Sequence, residues 1–300
     1  MARQPQVQPI DKEEVPPEVR ARLDEIQDVM GLPWSPDNWR AYATYPEMLR
    51  LFWEQLRPAT ERDRFLRDAL GIAERAYRDV SGWYQPEYTP RLAREDREQL
   101  AWELDAFEFG APQLLIQQAV LSRALRGEVV GRGTGGERRR PSAYRQPEIR
   151  LVNERSAPEP VKRLYQEIKR TLGLPLVSAE YRALAKWPEL LQSAWEDVKR
   201  WRERPEYRSL RLELAWLGDE AAARVRPAVR LDEPALRAAT GSSAALENLR
   251  LMVALFTDLL PELIVAGALF RAGIGGSPPQ RLPRSEDSCT PGCSPPGDAA

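Results

Sequence analysis

Apolar side chains recur along most of the chain at the spacing of a helix. In the segment PPEVRARLDEIQDVMG they follow the i, i+4, i+7, i+11 pattern of one helix face: Val19, Leu23, Ile26 and Met30. Pro17 suits the first turn of this helix and Gly31 suits its end. Similar helical patterns occur in PEMLRLFWEQL, DREQLAWELDAFEF, PQLLIQQAVLSRAL, PELLQSAWEDV, AALENLRLMVALFTDLL and PELIVAGALFRAG. No segment combines alternating apolar residues with a turn signal, so the sequence predicts an all-α fold.

The first half of the chain recurs in the second. Residues 15–58 align without a gap to residues 157–200, at an offset of 142, and 15 of the 44 aligned positions are identical. The identical pairs include Gly31/Gly173, Leu32/Leu174, Pro33/Pro175, Arg40/Arg182, Pro46/Pro188, Leu49/Leu191 and Trp53/Trp195. Shared composition alone would not bring Gly-Leu-Pro, Arg, Pro and Trp into one register, so the alignment indicates an internal repeat.

A weaker second match completes each copy of the repeat. The segment EFGAPQLLIQQAVLSRALRG resembles TDLLPELIVAGALFRAGIGG at an offset of 149. The sequence therefore predicts two tandem helical units, residues 15–127 and residues 157–276, packed about a pseudo-twofold axis with a cleft between them. Residues 1–14 are predicted to be a disordered arm, and residues 128–156 a linker rich in Gly, Pro and Arg. Residues 277–300 are predicted to be a disordered tail rich in Pro, Ser and Gly.

Composition narrows the chemistry that the chain can carry out. It has 44 basic and 45 acidic side chains, and this balance argues against binding to nucleic acid or to an anionic membrane. It has no histidine, which excludes every mechanism that needs an imidazole. The two cysteines, Cys289 and Cys293, lie in the predicted tail and form no disulfide framework or thiolate metal cage. With no apolar signal region at its N-terminus and no membrane-spanning run, the protein is expected to be soluble and cytoplasmic.

The repeated segment resembles a known family. YQEIKRTLGLPLVSAEYRALAKWPELLQSAWEDVK, its N-terminal copy and the later LLPELIV segment are similar to the group I, or DehI-type, 2-haloacid dehalogenases. The resemblance covers residues 15–276 and extends to the duplication and the helical character. It implies a hydrolase that removes halide from small 2-haloalkanoic acids, with water attacking the 2-carbon directly. It also implies that the reaction uses no ester intermediate, no metal and no other cofactor, in an active site between the two units.

The resemblance assigns site positions residue by residue. The family's catalytic Asp lies just before the Tyr-Arg of the second repeat, where this chain has Glu180, a carboxylate one methylene longer. A family Trp follows the first Gly-Leu-Pro-like turn, where this chain has Trp34. A family Asn that helps to hold the attacking water precedes the Pro of the late first-unit helix, where this chain has Gly110 and Ala111. Ala111 is therefore a substrate-site position that lacks the family's amide.

Glu180 has a functional and a structural interpretation. In an apolar cleft the pKa of its carboxyl would rise, and the carboxylate could deprotonate water. Alternatively, it is an acid in the first turn of a helix that Ser178 caps, where the helix dipole favours a negative charge. If Glu180 is the base, Glu180→Gln should abolish halide release, and Glu180→Asp combined with Ala111→Asn should restore the family pattern.

The other candidates also have two interpretations. Trp34 is not repeated, since leucine takes the equivalent position, and it is therefore a candidate to line the cleft. Ser178 and Tyr181 are candidates to orient the substrate. Arg40 and Arg182 occur in both copies, which favours ties between a loop and its own helices over a clamp on the substrate carboxylate. The tryptophans found in both copies are predicted to lie in the core.

Two functions of different classes remain open from the sequence. The first is hydrolytic dehalogenation of a small halogenated carboxylic acid. The alternative is a non-catalytic helical scaffold that binds a small acid or a partner protein, which the Glu-for-Asp exchange and the missing amide favour. A peroxidase of the alkylhydroperoxidase-D type is disfavoured, because such enzymes rely on an in-helix CxxC and usually a His. The sequence leaves a monomer and a homodimer open.

Overall fold

The computed structural model describes residues 5–7, 9–88, 91–139 and 147–276. The first half contains a 3₁₀ turn, Lys12–Glu14, followed by α1 Pro17–Met30, α2 Asp37–Tyr42, α3 Pro46–Thr60, α4 Asp63–Trp83 and α5 Arg94–Ala124. The second half contains α6 Glu159–Leu172, α7 Ala179–Leu184, α8 Pro188–Arg202, α9 Pro205–Ala222, α10 Glu233–Thr240 and α11 Ser243–Gly273. Within these ranges the only β pairing consists of two isolated bridges, Arg62 with Arg138 and Val130 with Val229. The prediction of an all-α fold is confirmed.

Helix boundaries in the two halves share the spacing of the sequence repeat. Helices α1 to α4 and α6 to α9 begin at residues 142 apart, and α5 and α11 begin 149 apart. Gly31 and Gly173 end α1 and α6 in the left-handed region, with φ of +70° and +68°. In this conformation the glycine and the following leucine donate their N–H groups back to carbonyls of the last helical turn. Pro46 and Pro188 begin α3 and α8, so the predicted stops and starts occur in both halves.

Gly173→Ala should destabilise the protein by about 1–2 kcal/mol, because a Cβ is costly at positive φ. No atom lies within 4 Å of a Cβ placed at Gly173, so the cost is conformational and not a clash. Gly71→Ala is the matched control. Gly71 lies inside α4 with equally open space around it, and alanine there should stabilise by about 0.5–1 kcal/mol. Urea unfolding of both variants measures the difference, and shifts of the same sign would contradict this account of the helix end.

Described residues of the arm and the linker are hydrogen-bonded to the helices. Ile10 donates its N–H to the carbonyl of Arg40, and the Arg40 Nε donates back to the Ile10 carbonyl at 2.8 Å. Val152 and Arg182, which lie 142 residues after Ile10 and Arg40, make the same two bonds with each other. These hydrogen bonds, two between backbone groups and two from arginine side chains, hold the segments before α1 and α6 against α2 and α7. They confirm the structural role predicted for both arginines, while the tail with its two cysteines lies outside the described residues.

Helices α5 and α11 pack against each other at the centre of the fold, with α4 and α9 beside them. The C-terminal half of α5 and most of α11 are buried on every face, as expected of helices that are apolar all round. Within the described part of the chain, α11 alone is long and apolar enough to cross a membrane, and 78% of its apolar window is buried in the protein. It is a core helix. Trp53 and Trp195 are fully buried, as predicted.

Candidate active site

The first turns of α2 and α7 meet at the contact between the two halves. The backbone N–H of Ala179 donates to Asp37 Oδ2 at 3.0 Å. Asp37 also faces two guanidinium groups, Arg40 at 3.3 Å and Arg182 at 3.7 Å. Burial raises the pKa of Asp37, and the two arginines oppose that rise. Because Ala179 immediately precedes Glu180, this bond fixes the backbone that presents the candidate base.

Glu180 points into the protein interior. Its side chain is 4% exposed, and Oε1 has no hydrogen-bond partner among the described residues. It faces α11 at Gly267, where a Cβ would lie only 2.8 Å from Glu180 Oε1. Burial, and then the negative charge of Glu108, raise the pKa of Glu180 well above its usual range. The observed position therefore fits a buried base and excludes an acid on the outer surface.

Glu108 on α5 is a second buried carboxylate beside Glu180, and sequence reasoning missed it. The Nε of Arg271 donates to Glu108 Oε2 at 3.0 Å, and Nη2 of the same arginine donates to Asp105 Oδ1 at 2.5 Å. Glu108 Oε1 has no partner in the described parts of the chain. Burial raises the pKa of Glu108 to about 7, against the opposing effect of Arg271. Two carboxylates and one engaged cation thus lie at the junction of α5, α7 and α11.

Ser178 and Tyr181 accompany Glu180 at the start of α7. Ser178 is the residue before the helix, but its side chain makes no capping hydrogen bond. The hydroxyls of Ser178 and Tyr181 are buried and have no hydrogen-bond partner among the residues described. The Tyr181 ring packs edge-on against Trp195 and Phe270, with ring centroids 5.7 and 5.8 Å away. Ser178 therefore occupies the N-cap position, with Glu180 in the first turn as the structural interpretation predicts, but its hydroxyl does not cap the helix.

Trp34 packs against Phe107 of α5, the residue before Glu108. Its ring is 4.6 Å from that of Phe107, and a Cβ on Gly110 would overlap it. Trp34 is 3% exposed, whereas Ala111, the next residue along α5, is half-buried. Trp34 thus contacts Phe107, and Glu180 lies near Glu108, the next residue of α5. Glycine at position 110 leaves room for the indole where the family has its amide-bearing segment.

Asn38 is a further buried polar residue that sequence reasoning passed over. It is 3% exposed, and its Nδ2 has no partner in the described chain. The alignment at offset 142 pairs Asn38 with Glu180, and the neighbours of these two residues, Asp37 and Ala179, are hydrogen-bonded to each other. The repeat itself was the signal that could have identified this amide.

Two surface clefts lie apart from these residues. One, of about 600 Å³, is lined by Ser122, Leu125, Arg126, Gly127, Glu233, Arg250 and Val253. The other, of about 210 Å³, lies between α5 and α9 near Arg123 and Asp219. Their arginines are engaged in ion pairs with neighbouring carboxylates. The buried carboxylates at α7 are therefore the stronger candidate for chemistry.

Known proteins similar to this chain are haloacid dehalogenases. The family model described as halocarboxylic acid dehydrogenase DehI matches residues 33–181. An (R)-2-haloacid dehalogenase of Pseudomonas putida is 25% identical over 270 residues, which make up 86% of this chain and 90% of the relative. An (R)-2-haloacid dehalogenase of Rhizobium sp. (strain NHG3) is 27% identical over 203 residues, covering 61% of this chain and 74% of the relative.

Solved structures show the same fold. A D-2-haloacid dehalogenase mutant in complex with D-2-CPA has a TM-score of 0.85 and 23% identity, covering 90% of this chain and 96% of its own. A D-2-haloacid dehalogenase in complex with L-LA gives the same TM-score and identity, covering 90% and 97%. The family match ends at Tyr181, in the turn that carries Glu180. These matches fit a divergent member of the DehI family.

Proposed function

We propose that the protein is a hydrolase that removes halide from small 2-haloalkanoic acids. The observation that carries the proposal is the buried carboxylate of Glu180, whose Oε1 has no hydrogen-bond partner in the described part of a chain similar to (R)-2-haloacid dehalogenases. With no histidine in the sequence, a carboxylate with a raised pKa is the side chain best matched to deprotonating water near neutral pH.

In the proposed reaction, Glu180 accepts a proton from water as the water oxygen bonds to the 2-carbon. The carbon–halogen bond breaks on the opposite side and its electron pair leaves with the halide. The products are a 2-hydroxy acid of inverted configuration, a halide ion and a protonated Glu180, which returns its proton to solvent. No covalent intermediate and no cofactor takes part.

The other site residues are proposed to bind substrate and water. The free hydroxyls of Ser178 and Tyr181 can donate to the substrate carboxylate, and Trp34 can line its apolar part. Ala111 provides no amide at the family position. The unpartnered Nδ2 of Asn38 offers such a donor from the first turn of α2.

The direction of the Glu180 pKa shift predicts the pH dependence of the reaction. A base with a raised pKa is protonated, and therefore inactive, at low pH. Halide release is thus expected to increase as pH rises through the neutral range. Initial rates measured from pH 5 to 9 test this, and a rate that is highest at acid pH would contradict a carboxylate base.

The alternative is a non-catalytic scaffold of the same fold that binds a small acid. Glutamate at the family's Asp position and the missing amide at Gly110 and Ala111 favour it. A scaffold of this kind would bind a haloacid in a calorimeter without releasing halide. An enzyme would release halide under the same conditions.

We also propose that the two halves are tandem pseudo-repeats related by a pseudo-twofold axis. The shared helix spacing and the contact between Asp37 and Ala179 support this arrangement.

The protein is also proposed to be cytoplasmic and to bind neither nucleic acid nor a membrane. A homodimer is also retained, and the exposed apolar pair Leu212 and Trp216 on α9 would suit its interface. Sedimentation of the purified protein tests the dimer.

Labelled water tests the proposed mechanism. In a single turnover in H₂¹⁸O with enzyme in excess, direct attack places ¹⁸O in the hydroxyl group of the product. An ester intermediate would instead place the label in a carboxylate of the protein and leave the first product unlabelled. Label in Glu180 would overturn the proposed role of this residue as a base.

A further inference from the structure

The side chains of Glu108 and Glu180 converge on one point above Gly267. A Cβ placed there would lie 2.8 Å from Glu180 Oε1 and 3.8 Å from Glu108 Cγ. Each carboxyl group has one buried oxygen, its Oε1, that lacks a hydrogen-bond partner among the described residues. The missing Cβ of Gly267 leaves the room that Glu180 Oε1 occupies, while Glu108 comes from α5 to the same point at ordinary contact distance.

The charges around this pair are unbalanced. The cation that contacts it is Arg271, whose guanidinium is already bonded to Glu108 and Asp105. An ionised Glu180 would therefore add a third negative charge around one buried positive charge. The charged groups that act on Glu108, besides its own burial, are Arg271 of α11 and Asp105 of α5. The adjacent Tyr181 of α7 faces Glu180, Glu262 of α11 and Arg202 of α8. Asp37 of α2 accepts a hydrogen bond from the backbone N–H of Ala179, next to Glu180.

We propose that Glu108 and Glu180 share a proton above Gly267, and that Glu108, held by Arg271, is a positioning residue that sets the pH at which Glu180 becomes the base. This inference rests on the proposed function. Two buried like charges so close cannot both ionise easily, so the first ionisation makes the second harder. Burial and the negative charge of Glu108 raise the pKa of Glu180, whereas burial and the negative charge of Asp105 raise the pKa of Glu108.

The pair also accounts for the missing family amide. Glu108 lies one helical turn before Ala111 on α5, and its Cγ and the Oε1 of Glu180 both lie within 4 Å of the position of a Cβ at Gly267. A water between two carboxyl groups that share one proton is held by two hydrogen bonds. In this chain Glu108 thus takes over the holding of the water, at the cost of a base that ionises at higher pH.

Glu108→Gln tests the pair. It removes one charge and keeps the size of the side chain, so the rising limb of the halide-release profile should move to lower pH by about one unit or more. Asp105→Asn is the matched control, because it removes another carboxylate from the same arginine but not from Glu180. It should move the limb much less, because Asp105 acts on Glu108 and not directly on Glu180. Equal profiles for Glu108→Gln and wild type, or equal shifts in both variants, would overturn the proposal.

An infrared titration of protonated carboxyl groups tests the pair without relying on activity. In wild type the bands of the two groups should disappear in two separated steps, with the Glu180 band identified by its loss in Glu180→Gln. In Glu108→Gln the Glu180 band should disappear at lower pH. Titration of both groups in one step in wild type would overturn the pair, even if Glu108→Gln did not fold. If the pair titrates in two steps and no haloacid is turned over, the proposed function fails while the proton sharing stands.

Discussion

Glu180→Gln is expected to lower kcat for halide release by about 100- to 10,000-fold, the usual contribution of a general base. Glutamine keeps the shape of the side chain but cannot accept a proton from water. The loss should therefore appear in kcat and not in KM, because substrate contacts through Ser178, Tyr181 and Trp34 are unchanged.

The fold should survive this substitution. Burial raises the pKa of Glu180, which means that its ionised form is disfavoured in the folded state and that stability is lost as pH rises above the ordinary glutamate range. A neutral glutamine avoids this loss, so Glu180→Gln should be at least as stable as wild type at pH 8. Thermal unfolding at that pH checks the sign.

Glu103→Gln is the matched control for Glu180→Gln. Glu103 is also buried, at 1% exposed, but it bonds to Lys186 and Gln99. Its substitution should lower stability and leave kcat close to wild type. Wild-type turnover in Glu180→Gln would remove Glu180 from the mechanism.

Glu180→Asp, which restores the family residue, should retain measurable turnover, and adding Ala111→Asn should raise it further.

Arg271→Met is expected to cost about 3–5 kcal/mol of stability, the largest effect of any single substitution considered for this protein. Arg271 is 4% exposed and is the buried cation bonded to both Glu108 and Asp105. Methionine fills most of the space but leaves the Glu108 charge buried without a partner. Urea unfolding at pH 8 measures the loss.

The cost should also depend on pH. Arg271 opposes the rise in the pKa of Glu108, so its removal raises that pKa further. A raised folded-state pKa loses stability as pH increases above the unfolded value of about 4.3. The destabilisation by Arg271→Met should therefore be larger at pH 8 than at pH 5. Arg94→Met removes an exposed ion pair with Glu98 and should cost at most about 1 kcal/mol at either pH. Equal losses in the two arginine variants would show that the buried cluster does not stabilise the fold.

Much of the fold could be predicted because its signals are local. Glycine at 31 and 173 and proline at 46 and 188 act on the backbone where they stand, and the helices end and begin there. The contacts of Ile10 and Val152 with the helices could not be predicted, because they join residues about thirty positions apart in the sequence.

Only some residues of the candidate site could be predicted from the sequence. Glu180 was found through a short motif, and its burial fits the role that the resemblance implies. Glu108 and Arg271 are 163 residues apart, and each sits in a helical pattern where a charged side chain usually faces solvent. Only the packing of α5 against α11 makes them partners. Asn38 could have been identified from the sequence, because the repeat alignment pairs it with Glu180.

Halide release by the purified protein tests the central claim most directly. Wild type and Glu180→Gln would be incubated separately with D- and L-2-chloropropionate, and chloride and 2-hydroxy acid would be measured together. The proposed function predicts equal amounts of both products from at least one enantiomer with wild type, and almost none with Glu180→Gln. No halide release from either enantiomer, from the 2-bromo analogues or from chloroacetate would contradict the proposed function. The non-catalytic scaffold would then be the better account.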